Sequence, residues 1–200
     1  MAMPGRIPMA GSADSMRITS VYAASYRPGA VLTPVKIKDI GSTWGSWRTW
    51  QSCDTDNVIC HDLSRARELL KRALQAVCNF HAPQALYQDL ERAQGVRWYQ
   101  GEFREDCADI EDIIAMHLAA AQSDVVLLLG FDVSTPGVIT DRLEQHRVRN
   151  RLGLLRGCIQ NNSAVQWVLV DHAAAPDPAF MALSNLTRDS AENVLQLLSQ

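Results

Sequence analysis

The chain has no apolar run of membrane-spanning length, no Cys-x-x-Cys pair and no strong excess of charge of either sign. The first absence removes a transmembrane helix, and residues 1–15 also lack the hydrophobic centre of a signal peptide. A formal net charge of −3 gives no electrostatic reason to expect nucleic acid as the main partner. Also missing are a phosphate-binding Gly-x-x-x-x-Gly-Lys, a Gly-x-Gly-x-x-Gly following a strand and a Gly-x-Ser-x-Gly elbow. The familiar nucleotide and hydrolase chemistries lose ground accordingly, and no cofactor is expected.

Cysteine is present but poorly organised. Cys53, Cys60, Cys78, Cys107 and Cys158 form an odd, scattered set, which in a chain of 200 residues fits reduced and partly buried thiols better than a disulfide framework. Cys53, Cys60 and His61 lie near Asp54, Asp56 and Asp62 and carry zinc-ligand atoms. Their spacing matches no usual ligand pair and a fourth partner is not apparent, so no metal is expected.

What the chain does have is two apolar runs. Residues 124–132 read Asp-Val-Val-Leu-Leu-Leu-Gly-Phe-Asp, and residues 165–172 repeat the design as Val-Gln-Trp-Val-Leu-Val-Asp-His. Such runs suit strands of a parallel sheet covered on both faces, where Val21, Val126, Leu128, Val168 and Val170 would be buried. Helical spacing predicts helices over about 62–80, 83–92, 109–121, 141–160 and 189–198, and further strands are expected at 16–24 and 96–99. The alternation is that of a single Rossmann-like α/β domain over residues 16–200, mainly parallel, with helices on both faces. Residues 1–15 read as an extended arm. Residues 30–62, with Pro34, Gly41, Gly45 and many Ser and Thr, read as an irregular, Trp-rich insertion.

Candidate functional residues follow from the sheet. Strands ending at Asp132 and at Asp171 and His172 would deliver these side chains to the carboxyl edge, where open α/β sheets bind ligands and where Ser25 and Arg27 could join them. The alternative is that each acid caps a loop or a following helix. Arg142, Arg149 and Arg156 recur every seven residues, and Arg147 and Arg151 add an i,i+4 pair on the same helix. That helix either binds phosphate through guanidinium forks or presents a solvated face. Trp44, Trp47 and Trp50, with Arg48 among them, either pack inside the domain, dock on a partner or stack a ligand.

The helix Ile113-Ile114-Ala115-Met116-His117-Leu118-Ala119 and the strand Val126-Leu127-Leu128-Leu129-Gly130-Phe131-Asp132, with the later helix, strand and terminal helix in order, resemble the MptE-like pyrophosphokinase family and the related family 42 sialyltransferase fold, phage-encoded copies included. The resemblance covers residues 109–198. In those families a Gly-x-Gly-Pro-Ser turn after the first strand lies against nucleotide phosphates. Here the stretch reads Tyr22-Ala23-Ala24-Ser25-Tyr26-Arg27-Pro28-Gly29, so only Gly130 and Asp132 carry over as pocket residues.

The resulting expectation is a phage-type structural or morphogenesis protein, in the virion or host cytoplasm, that docks on other subunits through its arm and tryptophans. A nucleotide-sugar or nucleotide-diphosphate transferase with Asp132, Asp171 and His172 at its site is the second reading. A nucleotide-binding module without chemistry is the third.

Overall fold

The computed structural model describes residues 16–26, 41–86, 95–100 and 109–198. The expected arm, Arg27, Cys107 and most of the helix expected over 83–92 therefore lie outside the described residues. Eight strands form one sheet: β1 (Ile18–Tyr22), β2 (Ser42–Ser46), β3 (Asn57–Ile59), β4 (Asn79–Pro83), β5 (Val96–Tyr99), β6 (Val125–Leu129), β7 (Gln166–Val170) and β8 (Leu186–Asp189). Every pairing is parallel and the order is β5-β4-β3-β2-β1-β6-β7-β8, so the chain builds outward from β1 in one direction, then returns and builds outward in the other. This is the Rossmann-like α/β architecture expected from the alternation of apolar runs and amphipathic helices.

Burial explains the unbroken runs. Val126 and Leu128 point into a core with Val21, Trp44, Trp167 and Leu169, beneath α3 (Ile110–Ala120) and α4 (Arg142–Asn161). Leu127 and Leu129 point the other way and pack with Tyr22, Val168, Val170 and the final helix α6 (Ala191–Leu198), which follows the single-turn α5 (Pro178–Met181). With both faces covered there is no position for a polar alternation. The five valines and leucines expected in central strands are all buried. No helix among the described residues is long and apolar enough to cross a membrane.

The stretch 30–62 departs from the expected irregular insertion. It contains β2, the single-turn helix α1 (Trp47–Trp50) and β3, and these are interior strands. Polar pairing inside the sheet replaces the missing apolar pattern. Asp56 accepts hydrogen bonds from the Thr43 backbone N–H (3.1 Å) and hydroxyl (2.8 Å). The Asn57 carboxamide spans three strands, donating to the Thr43 carbonyl (3.3 Å) and accepting from Asn79 (3.2 Å), with the His81 ring 3.0 Å away. Gly41 allows the entry to β2, since a Cβ there would sit 1.9 Å from the Ile18 carbonyl oxygen.

Two other boundaries differ. The helix α2 (Leu63–Gln75) starts as expected, with Asp62 accepting from the Ser64 N–H (2.8 Å), but stops short of residue 80, because Asn79 to Pro83 form β4. Its apolar side, Ala66, Leu69, Leu70 and Ala73, covers Val58 and Phe80. The final helix begins later than expected, after the edge strand β8.

The end of α2 carries an unusual residue. The Cys78 N–H bonds to the Ala73 carbonyl (3.1 Å) and the Val77 N–H to the Leu74 carbonyl (3.3 Å), the 6→1 and 5→2 pattern of a Schellman cap. Val77 occupies the left-handed position (φ 58°) that glycine usually takes, and its side chain is 92% exposed. A β-branched residue there is strained and gains nothing from packing. Val77→Gly is expected to stabilise the isolated domain by about 1 kcal/mol in a urea titration. An unchanged or lower midpoint would show that the strain is not present.

Candidate functional site

The topological switch point lies between β1 and β6, the strands on which the sheet order reverses, so its carboxyl edge is the expected ligand crevice. Three short segments meet there: Ala23 to Tyr26 after β1, Gly130 to Val133 after β6, and Asp171 and His172 after β7. The candidate residues Ser25, Gly130, Asp132, Asp171 and His172 are brought to this edge as the two apolar runs imply.

Geometry shows how each is engaged. Gly130 takes a left-handed φ of 77°, and a Cβ there would meet the Tyr26 Cα at 2.8 Å. The β1 loop thus lies directly on the β6 turn, and the Ser25 hydroxyl fastens it by donating to the Gly130 carbonyl at 2.6 Å. Asp132 folds onto its own loop, where its Oδ1 accepts from the Ser134 N–H (2.9 Å) and hydroxyl. Those bonds, with smaller help from His172 and Arg151, hold its carboxyl below the usual carboxylate range. The Asp171 Oδ1 accepts from the Ala191 N–H (2.9 Å) at the start of α6. Its φ of 52° is one that aspartate tolerates.

His172 is held on both ring nitrogens. Its Nε2 accepts from the Val133 N–H (3.2 Å), and its Nδ1 lies 2.9 Å from the Ala174 carbonyl. These bonds assign the proton to Nδ1. The ring therefore splints the β6 loop to the β7 loop, with Nε2 3.6 Å from the Asp132 carboxylate. Among the described residues, no three His, Cys, Asp or Glu side chains converge as a metal site would require.

The arginines of α4 divide by position. Arg151 reaches back to the switch point, donating to the Asp132 carbonyl (2.9 Å) and lying 3.7 Å from the Asp109 carboxylate. Arg147, the phosphate-binding candidate, instead lies 3.9 Å from Glu144 on its own helix. Arg149 and Arg156 face a separate groove.

The tryptophans also divide. Trp44 on β2 is 2% exposed, its ring 4.7 Å from that of His81. Trp50 is 8% exposed and packs on α2, with the Arg72 guanidinium 5.5 Å from its ring. Only Trp47 stands partly open, between the guanidinium groups of Arg48 (5.1 Å) and Arg65 (5.4 Å). Of the four interface candidates, Trp47 and Arg48 are the ones on a surface.

Two buried acids escaped the sequence reading as site residues. Asp112, in the first turn of α3, accepts from the Ala24 N–H at 3.1 Å, while its other oxygen has no hydrogen-bond partner. Loss of hydration raises its pKa to about 7. Glu111 accepts from the His61 N–H (2.9 Å) and is also pushed up by burial. His61 in turn lies 2.9 Å from the Tyr99 hydroxyl. First-turn acids usually face solvent near the helix dipole, which hid these two. The signal that could have found them is their position on a strongly apolar helix, directly before Ile113 and Ile114.

Together these features define a Rossmann-like α/β protein whose switch-point loops are tied to one another, with Gly130, Asp132 and Asp171 exposed at the edge. No protein-family model, curated protein or solved structure matches the chain.

Proposed function

We propose that the chain is a structural or morphogenesis protein of the phage type, virion-associated, whose Rossmann-like sheet serves as a rigid assembly module. The engagement of the switch-point side chains in loop-to-loop hydrogen bonds carries this reading. A transferase at this edge would need Asp132, Asp171 or His172 to face substrate. Instead, the hydrogen bonds of all three run to the protein's own backbone or to the neighbouring Ser134, His172 also lies 3.6 Å from the Asp132 carboxylate, and the Tyr26 backbone lies against Gly130, while the Asp132 side chain stays 74% exposed. Side chains used in this way stiffen the loops.

The surface supports the same reading. Val77, at the end of α2, presents an exposed apolar side chain that a partner subunit could cover. Trp47, flanked by two guanidinium groups, offers a second anchor of the type that dominates interfaces. The partners are other protein subunits of a larger assembly.

Quantitative mass spectrometry of particles purified from the cells that make the protein is the direct test. A fixed copy number per particle is the expected result. Absence from the particles would overturn the reading.

A further inference from the structure

Between α4 and the segments that follow β6 and β7 lies an open groove of about 380 Å³, lined by Pro136, Ile139, Asp177 and Phe180 from those segments. From the arrangement of its lining we infer that it is a binding site for a phosphate-bearing small molecule of nucleotide size, held at its phosphoryl end by Arg149 and Arg156. The site is separate from the assembly role and does not depend on it.

The first argument is charge. Helix α4 carries five arginines against one acid, Glu144, in a chain whose net charge is negative. Arg147 has Glu144 within ion-pair distance, and Arg151 holds the Asp132 carbonyl and lies by Asp109. Arg149 and Arg156 both line the groove and, among the described residues, make no hydrogen bond or ion pair. Seven residues apart, they are two turns and about 10 Å distant along one helix face, close enough for their long side chains to converge on one group. Guanidinium forks match phosphate oxygens bidentately, and Gln145, one turn before Arg149, adds an amide donor on the same side.

The second argument is shape. Leu152, Ile139 and Phe180 give the groove an apolar wall beside its cationic end, as small-molecule sites require, and its volume lies in the range of such sites. Asp177 uses one oxygen to cap the next turn, accepting from the Ala179 N–H at 3.0 Å. The rest of its carboxylate is an acceptor for a sugar hydroxyl.

Gly153 leaves the helical wall of the groove without a side chain. It sits inside a 20-residue helix, where glycine is unfavourable, yet nothing lies within 4 Å of where its Cβ would be. The domain's own packing does not require it. Gly157, one turn on and outside the groove lining, is equally open, so the glycine alone does not mark a ligand; at Gly153 it leaves the helix backbone accessible from the groove, and a larger side chain there would occupy that space.

Calorimetric titration of the full chain with ADP, inorganic pyrophosphate and adenosine tests the site. ADP and pyrophosphate should bind and adenosine should bind at least roughly tenfold more weakly than ADP, the factor expected for losing a charge-assisted contact. Arg149→Glu and Arg156→Glu should each weaken ADP roughly tenfold or more, whereas Arg147→Glu, outside the groove, should change it less than about twofold. Gly153→Leu alters no charge, and it should abolish binding while circular dichroism shows the fold retained. Failure of both ADP and pyrophosphate to bind, equal binding of adenosine, equal losses for Arg147→Glu, or unchanged binding by a folded Gly153→Leu protein would each overturn the proposal.

Discussion

Replacing Asp112 with asparagine is expected to stabilise the folded domain by about 2–4 kcal/mol above about pH 8 and by almost nothing below about pH 4. In the folded state the Asp112 pKa stands at about 7, against an ordinary value of 3.8. Burial is the main cause; the Ala24 N–H and Arg151 only partly offset it, and Asp109 and Glu111 add repulsion. Because the folded value is raised, the folded state holds this proton more tightly than the unfolded state does. The contribution of Asp112 to stability is therefore fully present below the unfolded pKa and is lost as pH rises through the folded one. A shift of about three units at 1.36 kcal/mol each sets the upper end of the range. Asparagine keeps the oxygen that accepts from Ala24 and never ionises. Urea titrations of both proteins across this pH span provide the test. His81 slopes the other way, since burial lowers its pKa to about 4, so its contribution is lost as pH falls. Taking the difference between variant and wild type removes it. A difference that does not grow with pH, or a loss of stability at about pH 8, would show that the buried acid is stabilised by contacts other than those described.

The sequence disclosed the central half of the sheet and concealed its flank, for a physical reason. In β6 and β7 both faces are buried, so the residues themselves are a continuous apolar run and the strand announces itself. In β2 and β3 the strands are equally buried, but Ser42, Thr43, Ser46 and Asn57 meet their interior partners by hydrogen bonds instead of packing. Those are the residue types of turns; Ser46 caps the next turn through Thr49, and the partners of Ser42, Thr43 and Asn57 lie 13 to 23 residues away on other segments. The edge strand β8 is half exposed and only four residues long, so it has neither signal. The carboxyl-edge residues could be placed because strand ends fix them. Their engagement could not be foreseen, since the partners of Asp171 and His172 lie on backbone groups of other loops. The arginine repeat on α4 did mark one helix face, but only the groove distinguishes Arg149 and Arg156 from Arg147 and Arg151.

Trp44→Ala is expected to cost about 3–5 kcal/mol and leave little folded protein, whereas Trp47→Ala should cost less, about 2–3 kcal/mol, and leave the sheet intact. Trp44 is one of the larger side chains in the main core. It packs with Val21, Ile59, Tyr99 and Ile113, and its indole N–H donates to the Ser42 hydroxyl at 3.3 Å. Truncating it opens a cavity between β2 and α3 that the close-packed sheet cannot collapse to fill. Trp47 loses half-exposed area against the cluster under α2, its side-chain hydrogen bond to the buried Glu111, and two surface contacts with Arg48 and Arg65, the last two each worth roughly 0.5–1 kcal/mol. The pair separates the structural use of tryptophan from its use in assembly. Urea titration and circular dichroism measure the first effect, and copy number in purified particles measures the second. If the assembly role runs through this face, particles made with Trp47→Ala contain less of a protein that is still folded, and Arg48→Ala gives the same result. Normal incorporation of both variants would place the docking surface elsewhere, and unfolding by Trp47→Ala alone would make all three tryptophans core residues.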